Sequence, residues 1–351
     1  MNSSEADKST LRGALIGFGQ VAEKAHLPAF KEHGIQITAV CESSAARREA
    51  AQAALPDAKL YTSYEQLLEA HDGIDFVDIA TPPFLHAEQA LAALKRGIHV
   101  LCEKPLALAP EELETLRRSA AMAGRAVFTV HNWAYSPQWQ KAFEVLASGA
   151  LGEIRHVELH ALRTQPAVSA VPGDWRREAG QAGGGILIDH GWHNLYLLHR
   201  LIRAKPTRVT ARLHPASGAV EEEATITAEF PNATALVYLT WQAGIRRNTA
   251  LVVGTKAVLE LLDDEIVVRS ASGSERFPFA DPLSAGSAHP TWFSAMIPDF
   301  IAETSTPSAR GRNLEEAAFC LGVIHRAYQA VRHGRNPLRA ALTQGERSRR
   351  S

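Results

Sequence analysis

The sequence predicts an α/β chain: a doubly wound parallel sheet over residues 11–131, then an α+β domain over residues 132–335 with a large open, mostly antiparallel sheet. Three observations predict this. From Leu11 to about Val130, short β-branched runs alternate with helical patterns, the signature of parallel strands with crossover helices. Those runs are continuously apolar, as strands must be when helices cover both faces of the sheet. Later in the chain, strand-like runs follow one another with only turn signals between them, which implies hairpins.

In the first domain, ALIGFG reads as a strand followed by a helix from Gln20, ITAVCE precedes a helix from Ser44, and DFVDIAT precedes a helix near Leu85 to Arg96. HVLCEKP and a helix from Pro110 follow, and AVFTV ends the series. A helix over Pro137 to Ala147, the strand IRHVELHAL and a helix from Gly184 or Gly185 to about Leu201 open the second domain. Its sheet is carried by RVTARL, ATITAEF, ATALVYLTW, ALVVG, AVLELL and EIVVRS. Pro231-Asn232, Gly254-Thr255 and Asp263-Asp264 sit where hairpins turn. Helices near Thr291 to Glu303 and Leu314 to Arg332 close the fold. Residues 1–10 and the last eight (QGERSRRS) are polar without apolar periodicity, and 1–10 and 336–351 read as tails.

A chain of 351 residues with 46% hydrophobic content can fill two cores. Its 37 basic and 38 acidic side chains create no long-range field to collect nucleic acid or anionic membrane, so a small-molecule partner is expected. Cys41, Cys102 and Cys320 are too scattered for a disulfide framework, which suits a reducing, cytoplasmic setting. No cationic apolar leader opens the sequence and no run of about 18 apolar residues occurs, so export and membrane insertion are not expected.

Gly17-Phe18-Gly19-Gln20-Val21-Ala22 spaces small residues as G-x-G-x-x-A between a strand and a helix. The first glycine permits a tight turn, the second lets a pyrophosphate approach the backbone, and the third small residue lets helix and strand pack closely. The same glycines also suit a purely structural turn. Glu42 lies 20 residues past Ala22 at the end of the second strand, where a carboxylate accepts hydrogen bonds from ribose hydroxyls and repels a 2′-phosphate. NAD is therefore favoured, with NADP admitted by Arg47 and Arg48 one turn on. Ala80-Thr81-Pro82-Pro83 and Cys102-Glu103-Lys104-Pro105 end neighbouring strands and should line the carboxyl edge of the sheet, where ligands of such sheets bind. Lys104, its backbone restricted by the following proline, can present an ammonium there, or stay solvated.

The run Gly183-Gly184-Gly185-Ile186-Leu187-Ile188-Asp189-His190-Gly191-Trp192-His193 joins glycines to a helix, on which Asp189 and His193 share a face. Oxidising a secondary alcohol needs a base for the hydroxyl proton, a task suited to histidine near neutral pH. Taken singly, each residue also fits a structural role. Asp189, His190 and His193 lack an evident further ligand for a metal site, and none is expected.

Together, G-x-G-x-x-A, the ATPP segment with His86, Glu103-Lys104-Pro105 and GGGILIDHGWH resemble the glucose–fructose oxidoreductase / inositol dehydrogenase / rhizopine catabolism family (Gfo/Idh/MocA), from Arg12 to about Arg332. The resemblance implies an N-terminal Rossmann domain that binds NAD or NADP through Gly17, Phe18, Gly19, Gln20, Val21, Glu42, Thr81, Pro82, His86, Glu103 and Lys104. It implies that Lys104, Asp189 and His193 form the catalytic group, with His193 the proton acceptor and Lys104 holding the substrate hydroxyl. It also implies a sugar, inositol or polyol substrate and a homodimer or homotetramer built through the C-terminal sheet. Two departures bear on substrate contacts: Pro83 stands where members often have Asn, and His131-Asn132-Trp133-Ala134-Tyr135 where an arginine is frequent. Arg163, Trp175 and Arg176 are candidate replacements. Net hydride transfer is the expected chemistry; redox-neutral glycoside cleavage through transient C3 oxidation and an inactive nucleotide-binding regulator are the alternatives.

Overall fold

The computed structural model describes residues 11–70, 73–166, 178–215 and 220–334. They form two compact units: one runs to Tyr135 and includes Gly286–Ala317, and the other comprises Ser136–Ala285 and the described residues from Ala318 onward.

In the first unit β1 (Arg12–Ile16) leads through the glycine turn into a helix that is π-wound over Ala22–His26 before continuing as α1 (Leu27–Glu32). There follow β2 (Gln36–Cys41), α2 (Ala45–Ala54), β3 (Lys59–Tyr61), α3 (Tyr64–Ala70), β4 (Phe76–Ile79), α4 (His86–Lys95), β5 (His99–Cys102), α5 (Pro110–Ala123) and β6 (Val127–Thr129). The six strands are all parallel, in the order β3-β2-β1-β4-β5-β6. Chain direction across the sheet reverses between β1 and β4, which sets a switch point at their carboxyl ends. Every residue of β4 and β5 is buried, as the apolar runs required. Pro110 opens α5, where Glu112 Oε2 accepts from Leu108 N and Ala109 N at 3.0 Å, and Gly124 ends it with φ 61°. The sequence reading omitted β3 and α3. β3 is a half-exposed edge strand of three residues, too short to carry a period.

The second unit opens with α6 (Pro137–Ala147), where Ser136 Oγ accepts from Trp139 N at 3.2 Å. β7 (Ile154–Leu162), α7 (Ala179–Ala182) and α8 (Ile186–Ile202) precede β8 (Arg208–His214), β9 (Glu223–Glu229), β10 (Thr234–Thr240), β11 (Arg247–Gly254), β12 (Ala257–Leu261), β13 (Glu265–Ser270) and β14 (Gly273–Pro278). Eight strands pair in the order β14-β13-β12-β11-β7-β10-β9-β8, antiparallel except for β7 with β10. Along β7 the faces alternate: Val157, Leu159 and Ala161 are buried, while His156, Glu158 and His160 stay half-exposed. β14, also omitted by the sequence reading, is the polar edge run GSERFP, recruited by pairing with β13 rather than by burial.

Residues 286–317, expected within the 132–335 domain, group by contact with the first unit. In this segment α9 (Pro290–Ser305) belongs with the parallel sheet: Phe293, Met296, Ile297 and Phe300 are fully buried in the core of the first unit. Phe293 meets Phe30 edgewise at 5.8 Å between ring centroids, and Phe300 meets Phe76 at 5.1 Å and Phe128 at 5.8 Å. Such partners lie far apart in sequence and leave no local pattern. Next comes α10 (Arg312–Gly334), whose first turn is capped by Glu303 through Gly311 N and Asn313 N, both at 3.0 Å.

Candidate active site

The glycine turn is built for close approach. Gly17 has φ 94°, and a Cβ there would lie 2.8 Å from Ala80 O, so a side chain is excluded both by conformation and by β4's continuation. A Cβ on Gly19 would meet nothing within 4 Å, which leaves open space above the turn. Ala22 is fully buried and lets helix and sheet pack. The Phe18 side chain is buried as well, so its contribution at the turn is its backbone, while Gln20 is exposed and Val21 partly so.

Glu42 closes the other side: its Oε2 accepts from Phe18 N at 2.8 Å and its Oε1 from Ser44 N at 2.8 Å. Oε1 also accepts from Ser43 Oγ at 3.4 Å, whereas Oε2 keeps a second lone pair for a hydroxyl donor. Open space over Gly19 together with an oriented carboxylate fits the adenosine half of a dinucleotide. Arg47 donates to Glu23 Oε2 at 3.0 Å, and Arg48 to the Glu42 and Ser43 carbonyls at 2.8 and 2.6 Å, so both arginines brace the turn.

At the carboxyl edge His86, fully buried, spans two loops. Its Nε2 faces Thr81 O at 2.7 Å and its Nδ1 faces Pro105 O at 2.8 Å. Burial pulls this imidazole below its usual pKa, against the two carbonyls. Thr81 Oγ1 donates to Gln89 Oε1 at 2.6 Å, and Pro82 precedes a single 3-10 turn over Pro83–Leu85, which buries Pro83. The Lys104–Pro105 peptide is cis.

Glu103 has a partner that sequence reasoning missed. His26 places Nε2 3.1 Å from Glu103 Oε1 and Nδ1 2.8 Å from Asp78 Oδ2, while Glu103 Oε2 accepts from Lys104 N at 3.2 Å. The only sequence signals were an acid inside an apolar strand and a histidine on the buried face of the first helix.

In the second unit the glycine run is explained by what presses on it. A Cβ on Gly184 would fall 2.0 Å from the Tyr328 hydroxyl, and one on Gly185 1.9 Å from Glu221 O. Glu221 caps α8: its carbonyl accepts from Ile186 N at 2.8 Å, and its Oε1 from Gly185 N at 2.9 Å, Leu187 N at 3.1 Å and Tyr328 Oη at 2.8 Å. Burial raises the Glu221 pKa, opposed by those donors. Nothing in the local sequence marks Glu221 as the cap.

α8 then carries Asp189 and His193 one turn apart. His193 is 8% exposed, with Nδ1 2.9 Å from Tyr196 Oη and the two rings edge to face at 5.7 Å. Tyr196, one turn on, is a further residue the sequence reading passed over. Asp189 is half-buried, its Oδ2 3.2 Å from His190 Nδ1; that nitrogen also lies 3.3 Å from Trp241 Nε1, and its protonation decides which of the two it bonds. Buried Arg163 donates to Leu162 O at 2.8 Å and Asn248 Oδ1 at 2.9 Å. Burial, then Arg246, push its pKa down to about 10, with Asp189 and Asp263 opposing. Trp175 and Arg176 lie outside the described residues. Where an arginine is frequent in the resembled family, His131 is buried with Nδ1 2.9 Å from Glu316 Oε2. Among the described residues no cluster of three His, Cys, Asp or Glu side chains is arranged for a metal ion, and no helix is long and apolar enough to cross a membrane.

Residues 11–131 match the family model described as the oxidoreductase family with NAD-binding Rossmann fold, and residues 139–260 match the GFO/IDH/MocA C-terminal domain. A 1,5-anhydro-D-fructose reductase from Ensifer adhaerens is 27% identical over 285 residues, 78% of this chain and 84% of that protein. A D-glucoside 3-dehydrogenase from Escherichia coli (strain K12) is 33% identical over 195 residues, 55% of this chain and 54% of that protein. A levoglucosan dehydrogenase solved in complex with NADH and levoglucosan superposes with a TM-score of 0.79 at 22% identity, covering 92% of this chain and 97% of that one, a likeness of fold. With residues 11–131 and 139–260 both matched, the chain belongs to the GFO/IDH/MocA family of NAD-binding oxidoreductases.

Proposed function

We propose that the protein transfers a hydride between NAD and a secondary alcohol carbon of a sugar, inositol or related polyol, with Lys104, Asp189 and His193 as its catalytic group. What supports this reading is that, in a chain of an NAD-binding oxidoreductase family, Lys104 follows β5 at the carboxyl edge of the parallel sheet and Asp189 and His193 stand one turn apart on α8. NAD, when bound, supplies the hydride acceptor, held by the Gly17–Val21 turn, Glu42 and the Thr81–Pro82 and Glu103–Lys104 loops. His193, with a proton on Nδ1 donated to Tyr196 Oη, takes the substrate's hydroxyl proton at Nε2. The Lys104 ammonium holds the same oxygen and favours the alkoxide that develops on it. Asp189, one turn before His193 on α8, completes the group.

The names of the relatives direct the substrate search toward cyclic polyols, including the C3 hydroxyl of glucosides. The test follows nicotinamide absorbance while the protein is incubated anaerobically with NAD and a panel of aldoses, inositols, anhydrosugars and glucosides. Reduction with at least one is expected, and none with any would defeat the proposal. Product analysis in the same experiment distinguishes ketosugar formation from glycoside cleavage without net change in NADH. The open sheet face, where Leu236, Leu251, Val253 and Val258 stay half-exposed beside His156 and Glu158, supports assembly into a dimer or tetramer, to be measured by light scattering.

A further inference from the structure

Resting on the hydride-transfer reading, we propose that His26 is a positioning residue for the reacting end: wedged between Asp78 and Glu103, it holds the Glu103 carboxylate against the Lys104 main chain and thereby sets where the Lys104 side chain starts. The His26–Asp78 pair is buried, with Asp78 Oδ1 lacking a hydrogen-bond partner among the described residues. Asp78 comes from the middle of the parallel sheet and is fully buried, and His26 is fully buried on the π-wound turn that follows the glycine loop. Glu103 leaves the end of β5 with its carboxylate divided between His26 and the amide of the next residue. Phe293 stacks on the imidazole at 3.9 Å and 11°, and Phe30 meets it edgewise at 6.4 Å, so the ring cannot rotate without displacing the aromatic core.

Ionised carboxylates only accept hydrogen bonds, so two of them on the two ring nitrogens are both satisfied only by the imidazolium. The groups that face the triad pull in both directions: burial raises the Asp78 pKa, His26 opposes the rise and Glu103 adds to it. Lys104 and His86 face Glu103, the Cys102 thiol on β5 faces both acids, and α9 presents an aromatic face. Burial works to strip the proton from His26, yet Asp78 and Glu103 outweigh it and carry its pKa up to about 9. A neutral ring would leave one carboxylate facing a lone pair in a dry site. Because the helix that carries His26 starts directly after Gly19, whose carbonyl accepts from Glu23 N at 3.0 Å, the same turn that shapes the glycine loop also fixes the lysine loop.

The test reads His26 and Lys104 directly. Histidine ¹⁵N spectra of the full chain should show His26 with both nitrogens protonated at pH 7.5 and losing its proton only near pH 9. A neutral His26 at pH 7.5 overturns the proposal without any variant. Lysines carrying ¹³C-methyl groups then report the Lys104 environment in wild type, His26→Gln and Asp78→Asn, with NADH fluorescence titration alongside. In each variant that keeps a cooperative thermal transition, the Lys104 resonance should shift or broaden and NADH binding should weaken about tenfold, as loss of a charged hydrogen bond produces. If His26→Gln fails to fold, Asp78→Asn decides. Unchanged Lys104 resonances in a folded variant would reduce His26 to a packing residue. Neither readout uses turnover, so inactivity toward every polyol would remove the hydride-transfer reading while the resonances still decide the positioning role.

Discussion

At Gly17 and Gly19 the same residue type answers two different demands. Gly17 is left-handed and pressed on Ala80 O, so Gly17→Ala should lower stability by about 1–2 kcal/mol or more from backbone strain alone and abolish NADH binding. Gly19 faces open space, so Gly19→Ala should leave the melting temperature nearly unchanged while weakening NADH binding; thermal unfolding and fluorescence titration separate the two. Equal loss of stability in both variants would contradict the assignment. His193 belongs to the same scale. Replacing it with alanine should lower turnover by about 10²-fold or more with NADH affinity little changed, measured by steady-state kinetics once a substrate responds. The glycines were legible in sequence because a turn is a local demand. Tyr196 was not, since a tyrosine one turn past a histidine looks like any core aromatic until its hydroxyl is seen on Nδ1.

Among the elements, α8 shows how a helix is held by a residue outside it. Glu221 gathers three donors on one carboxylate oxygen and a fourth on its carbonyl, at the end of the helix that carries Asp189 and His193. Glu221→Ala should cost about 1–3 kcal/mol in urea unfolding, the penalty for leaving buried amides unpaired. Glu221→Gln keeps an acceptor oxygen and should cost less. Identical midpoints for wild type and both variants would remove the cap from the account. The helix itself was readable from Gly185 and the apolar run after it. Its cap was not, because a glutamate 36 positions later carries no sign of where the chain will return.

On the scale of the whole molecule, two buried histidines set opposite limits on stability with pH. His26 is charged in the fold, its pKa carried from 6.5 to about 9, so its contribution is complete below about pH 6.5 and disappears as pH rises through 9. His99 is the reverse. Burial, then Arg125 and Arg310, lower it from 6.5 to about 4, and its Nδ1 accepts from Ala126 N at 2.9 Å. Its contribution is complete above pH 6.5 and is lost as pH falls toward 4. The two coincide near pH 6.5, where denaturant unfolding should show its maximum from these groups. The alkaline limb should therefore flatten in His26→Gln. A wild-type curve with no slope across that window would refute the buried imidazolium.

The sequence by itself determined what neighbours along the chain determine: strands from apolar runs, the G-x-G-x-x-A turn with its acid at Glu42, the placement of Asp189 and His193 one turn apart on one helix, and the family. Tertiary structure decided what depends on segments brought together from a distance. It assigned α9 to the first unit through Phe293 and Phe300, drew β14 onto the sheet edge, set Glu221 on α8, and enclosed His26 between Asp78 and Glu103. The physical reason is range: a periodic pattern or a turn is fixed by contacts within a few residues. A buried carboxylate or aromatic ring takes its meaning from partners 24 to 270 or so positions away, where chain order carries no signal.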